Sequence, residues 1–166
     1  MTSDHIKRID TWLQTNRPEY YKNLNNGIND NELDAFEQRF TLKLPEDFRT
    51  FYKWRNGQST NYFKSIQENR IFLPLSEISE TKDMLDGMIG YDFEDPEWWR
   101  TGWVPFLSNG GGDYLCLDLL AEDGGQPGQV ISYWHDWEDR SVEYNSFQLW
   151  LSDLADSMEN GTLEIV

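Results

Sequence analysis

The sequence predicts an α+β domain: a central antiparallel sheet packed with helices that open and close the chain. Three patterns predict it. Apolar residues recur at helical spacing in the region ending at Gly57. From Trp103 onward, short β-rich runs are joined by glycine-rich turns. A last apolar stripe, Phe147, Trp150, Leu151, Leu154, Ala155 and Met158, then returns to helical spacing. Helices, sheet, then helix is the order of an α+β fold. A length of 166 residues suggests one domain spanning 1–166.

The first helix is expected over Asp4–Thr15, with Ile6, Ile9 and Leu13 on one face and Arg17-Pro18 as its stop. Residues 23–29 read as a turn-rich loop. Asn29 then reads as an N-cap, with Glu32 in the capping-box position, for a helix running to about Arg39. Leu44-Pro45-Glu46-Asp47 opens the next helix, with proline at the first helical position and acids in the first turn. Asn56-Gly57 is its expected left-handed stop. Arg70–Leu75 reads as a short strand and Ser76–Gly87 as a helix capped by Ser76. Three strands follow, Trp103–Leu107, Asp113–Leu119 and Gln129–Trp134, as a meander. The final helix starts near Ser146 and stops at Gly161.

Charge divides the chain. Residues 1–82 carry twelve acids and twelve bases. Residues 83–166 carry eighteen acids and two bases, Arg100 and Arg140, so the whole formal charge of −16 lies there, beside six of the eight tryptophans. Such an imbalance speaks to partners and steering. It disfavours nucleic acid and anionic membrane as direct ligands, since both present phosphate, and favours a basic protein. No stretch approaches the ~20 apolar residues of a membrane span. The polar start of the chain shows no signal peptide. Cys116 is the sole cysteine, so no internal disulfide forms. Together these set the expectation of a cytoplasmic protein, in which the sequon at Asn160-Gly161-Thr162 is silent. No pattern sets an oligomeric state.

Motif by motif, the chemistry thins out. Gly110-Gly111-Gly112 leads into a strand and not a helix, and Asp113 would repel phosphate, so a hairpin turn braced by Asp113 is favoured over a phosphate cradle. Asp113 and Asp118 lie five apart in one strand and face opposite sides, which disfavours a catalytic carboxylate pair. His135-Asp136 lacks a second histidine at ligand spacing. Asp92, Glu94, Asp95 and Glu97 do not follow a calcium-loop spacing. Cys116 sits between Leu115 and Leu117 with no neighbouring cation in sequence to activate it. No catalytic residue, metal or cofactor is expected. Two segments remain as interaction candidates: Asp92, Glu94, Asp95, Glu97, Trp98 and Trp99, and Asp136, Trp137, Glu138 and Asp139. Tryptophan anchors interfaces while carboxylates steer encounter. The competing reading puts these rings in the core.

Three groups of residues, in this order, resemble the SUKH superfamily of Smi/Knr-type domains. They are Leu44, Pro45, Asp47, Phe48, Tyr52, Asn56 and Gly57; then Trp103, Pro105, Gly112, Asp113, Leu117 and Asp118; then Ser146 and Phe147. Gly27-Ile28 and Glu37 also fit, and the resemblance covers about residues 27–154. It implies an α+β fold with helices around an antiparallel sheet. Bacterial members resemble immunity proteins that bind and neutralise a toxin, often a nuclease; fungal members resemble regulators or scaffolds linked to cell-wall synthesis. The short chain, without long polar extensions, favours the bacterial type. The expectation is therefore an immunity protein that binds a basic toxin domain stoichiometrically, without catalysis. The alternative is a regulatory interaction module of the cell-wall type.

Overall fold

The computed structural model describes residues 1–166. α1 (Thr2–Asn16) buries Ile6, Ile9 and Leu13 as the spacing predicts. Pro18 interrupts it and opens the short α2 (Pro18–Lys22). β1 (Leu24–Asn26) follows where a loop is expected; three polar-rich residues carry no strand signal of their own. The side chain of Asn29 accepts from the Glu32 N–H at 3.0 Å and caps α3 (Asp30–Phe40). Arg49, buried on α4 (Glu46–Trp54), reaches Asp30, Asp34 and Glu37 of α3 at 2.9, 2.8 and 3.3 Å and ties the two helices together.

The next junction corrects the expected helix stop. Pro45 is the cap of α4 and not its first residue, and the helix ends at Trp54 with Arg55 already extended. Asn56 and Gly57 belong instead to β2 (Arg55–Gln58), which pairs with β1. Gly57 holds φ +68°, and a Cβ there would stand 2.3 Å from the Pro74 nitrogen. Its glycine is required by a backbone crossing, not by a helix cap. Asn56 has a second use. α5 (Leu75–Met88) begins after Pro74, whose side chain cannot cap it. The Oδ1 of Asn56 accepts from the Leu75 N–H at 2.8 Å, the role expected of Ser76.

The main sheet is a five-stranded antiparallel meander in the order β3 (Ile71–Phe72), β4 (Trp103–Ser108), β5 (Tyr114–Asp118), β6 (Gln129–Tyr133), β7 (Val142–Tyr144). β7 is absent from the sequence expectation because three residues are too few to show alternation. Ser146 caps α6 (Phe147–Asn160) by accepting from Leu149 N–H, and Gly161 ends it at φ +72°. This is the α+β architecture expected.

Strand alternation splits the core in two. Val104, Phe106, Leu115, Leu117 and Val130 face α1, α4 and α6 within a cluster of 28 buried residues. Trp103, Cys116, Ile131 and Tyr133 face the other way and join Leu85 of α5 and Trp99 in a cluster of six. The segment between α5 and β4 lies over that smaller cluster.

A candidate protein-binding cleft

The segment from Ile89 to Gly102 is anchored from beneath. Trp99 is 1% exposed and packs edge-on against Trp103 and Tyr133, with ring centres 5.4 and 5.2 Å away. Its indole N–H donates to Asp86 at 2.8 Å. Asp86 also pairs with Lys82 at 3.2 Å, and the fully buried Lys82 ammonium donates to the Thr101 carbonyl. Burial pushes the Lys82 ammonium down and Asp86 opposes that shift. Trp99 is therefore a correction to the expected contact set: its ring has no free face to offer a partner.

Arg140 holds the segment to the turn after β6. Its guanidinium donates to the Trp98 carbonyl at 3.0 and 3.2 Å, and to the Trp137 and Asp139 carbonyls at 2.6 and 2.8 Å. It lies over the Trp98 and Tyr133 rings at 4.8 and 4.5 Å. Burial lowers its pKa from the ordinary arginine value.

Between the two arms lies a cleft of about 530 Å³, lined by Asp95, Glu97, Trp98, Asp123, Trp137, Glu138, Asp139 and Arg140. The fold thus brings together the two segments singled out in the sequence, which lie about forty residues apart. Trp137 is 62% exposed. Asp92 and Glu94 are exposed but lie outside the lining. Asp136 points toward a different group, described below. Sequence reading missed Asp123 and Arg140. A lone arginine inside an acidic run was the available signal for Arg140. Asp123 is held by Arg100 at 3.1 Å, and Glu122 by the same arginine at 3.5 Å.

Some acids of the second half are paired with bases of the first. Arg8 pairs with Asp156 and Glu159, and Arg39 with Asp83. Asp92, Glu94, Asp95, Glu97, Asp136, Glu138 and Asp139 make no ion pair; the cations nearest the cleft are committed to backbone carbonyls or to Glu122 and Asp123. Four of these unpaired acids, Asp95, Glu97, Glu138 and Asp139, line the cleft where the two arms meet.

The other singled-out residues build the frame. Leu44, Phe48, Trp103, Leu117 and Phe147 are buried. The Tyr52 hydroxyl donates to the Leu73 carbonyl at 2.7 Å. Asp47 Oδ1 accepts from the Phe48 N–H, while burial raises its pKa. Pro105 lies in β4 opposite Cys116, beside a bulge. Asp118 is buried, accepting from the Gln129 amide and the Ala121 N–H.

Asp113 braces its hairpin by accepting from the Asn109 amide at 2.8 Å, and reaches across to the His135 N–H and ring at 2.9 and 2.7 Å. Gly112, at φ +101°, brings the turn against that ring. Asp113, His135 and Asp136 have ligand atoms within 4.8 Å of one another, but Asp113 already spends both oxygens on protein donors. The fold does bring the cations Lys82 and Arg140 toward Cys116, which sequence neighbours did not suggest. Burial dominates all the same and pushes the thiol well up, which makes it inert.

A small α+β domain with a polar cleft between two loop arms, and no nucleophile placed beside a base, is the class of protein that geometry defines. The model of the SMI1 / KNR4 family (SUKH-1) matches residues 27–153, and the chain belongs to that family. Among curated proteins it is similar to "Cell wall biosynthesis/cell cycle regulator smi1" of Schizosaccharomyces pombe, at 26% identity over 96% of this chain and 36% of that protein. It is also similar to "KNR4/SMI1 homolog 2" of Debaryomyces hansenii, at 22% identity over 95% and 35%. A third relative is "Glucan synthesis regulatory protein" of Neurospora crassa, at 20% identity over 93% and 38%. The chain therefore spans little more than a third of each relative's length. No helix is long and apolar enough to cross a membrane.

Proposed function

We propose that this chain is a non-catalytic regulatory module that acts by binding another protein through the cleft between residues 95–98 and 137–140. The observation that carries the reading is the convergence of two acidic, tryptophan-bearing segments on one face whose carboxylates have no ion partner. The names of the Schizosaccharomyces pombe and Neurospora crassa relatives support a regulatory role in cell-wall polymer synthesis, and they favour it over toxin immunity, the function expected from the sequence. Immunity stays as a second reading on one observation: a net −16 chain whose unpaired acids cluster is well suited to steer a basic nuclease toward it.

The test is photo-crosslinking in the protein's own host, with the reactive side chain at position 138 and, for comparison, at the exposed position 38 on α3. A partner captured from 138 and not from 38 supports the cleft. A cell-wall synthetic or signalling enzyme supports regulation, and a toxin domain supports the second reading. Capture from 38 alone rejects the cleft.

A further inference from the structure

We propose that the outer half of the cleft receives an extended, arginine- or lysine-bearing segment of the partner, with one cation seated on the face of Trp137 among the carboxylates of Asp95, Glu97 and Glu138. This inference rests on the cleft being the binding face and adds the chemistry of its occupant.

The inner half of the cleft shows how it accommodates a cation. There the chain's own Arg140 lies over the rings of Trp98 and Tyr133, and its N–H groups are consumed by backbone carbonyls. The outer half repeats the same components with no cation in place. Trp137 is mostly exposed, and Asp95, Glu97 and Glu138 line the same cleft without an ion partner. An exposed ring face attracts cations, and gathered like charges deepen the local potential. The volume of about 530 Å³ has room for a few side chains and not for a docked helix or domain, which points to an extended segment. Anionic ligands are repelled. A small cation is a poorer fit, because Asp95 Oδ1 already accepts from the Glu97 N–H and Asp139 Oδ2 from the Ser141 hydroxyl.

The probe is a short peptide of alternating arginine and serine, titrated by calorimetry and by tryptophan fluorescence at low and near-physiological salt. Saturable one-to-one binding is expected, and it should be lost when citrulline replaces arginine. Combining Asp95→Asn, Glu97→Gln and Glu138→Gln should weaken it at least about tenfold. The same charge change placed elsewhere, Glu46→Gln with Glu80→Gln and Glu164→Gln, should weaken it less than about twofold. Trp137→Leu should weaken it roughly three- to tenfold. Equal effects from the two triple variants would mean diffuse attraction and would overturn the proposal, as would the absence of saturable binding. If the peptide fails while crosslinks from position 138 persist, this inference falls and the binding face stands. Loss of both removes the binding face as well.

Discussion

The two faces of the sheet are built to different standards. One face carries 28 buried residues from all six helices and from every strand but β2 and β7, and its aromatic rings interlock: Phe147 and Trp150 pack against each other and each against both Phe51 and Phe106, with centres 5.1–5.6 Å apart. The other face buries six residues, and its polar ties, Lys82–Asp86–Trp99 and Arg140 on Trp98, do the work that apolar bulk does opposite. The thick face fixes the fold. The thin face holds an acidic surface in place with a few specific contacts, and the two loop arms rise from it. On the proposed function, stability and recognition are separated by the plane of the sheet.

The largest expected effect tests the thick face. Trp150 is fully buried, and its N–H donates to Gln67 at 3.1 Å. Trp150→Ala should cost about 4 kcal/mol in chemical denaturation, through lost transfer energy, a cavity that close-packed neighbours cannot fill, and a stranded Gln67. A loss below about 2 kcal/mol would mean that the rings repack and that the contrast between the faces is overstated.

Trp99→Ala should cost less, about 2–3 kcal/mol, because the smaller cluster lies at a rim that can collapse. Its signature should be local: backbone amides of residues 89–102 should exchange faster while those of α4 and α6 keep their protection. Since the two rings lie on opposite faces and belong to separate clusters, the double variant should be additive within about 0.5 kcal/mol. Strong non-additivity would show that the sheet transmits packing changes between its faces.

The thick face was also the legible one. Its helices announce themselves through Ile6, Ile9 and Leu13, through Asn29 and through the Phe147–Met158 stripe, because period and caps are local properties. The thin face depends on contacts between distant residues. Nothing near Trp99 in sequence says that Asp86 will take its N–H, and nothing near Arg140 says that it will bind the Trp98 carbonyl from forty-two residues away. Composition therefore singled out two segments that the fold brings together, yet it could not separate the buried Trp99 from the exposed Trp137. Gly57 failed for the same reason: a glycine after a helix reads as a stop, while the Pro74 backbone that demands it arrives from seventeen residues later.

The smallest expected effect concerns a tie at the root of one arm. His135 begins the turn that carries Trp137, and its ring meets Asp113. The hydrogen bond to Asp113 raises the His135 pKa above its ordinary 6.5, with Asp136 adding to the effect and slight burial opposing it. For Asp113, burial favours the neutral acid, but bonds from the His135 backbone and ring and from Asn109 outweigh it and hold the carboxyl below its ordinary 3.8. The histidine's contribution to stability is fully present below pH 6.5 and fades as pH rises through the higher folded value. That of Asp113 is present above 3.8 and fades as pH falls through the lower folded value. The tie is strongest between about pH 4 and 6.5. An NMR titration should place the His135 midpoint above 6.5 and return it toward that value in Asp113→Asn. A wild-type midpoint at or below 6.5 would show that the ring adds nothing to the tie and that the arm is held by the His135 N–H bond to Asp113 and by Arg140.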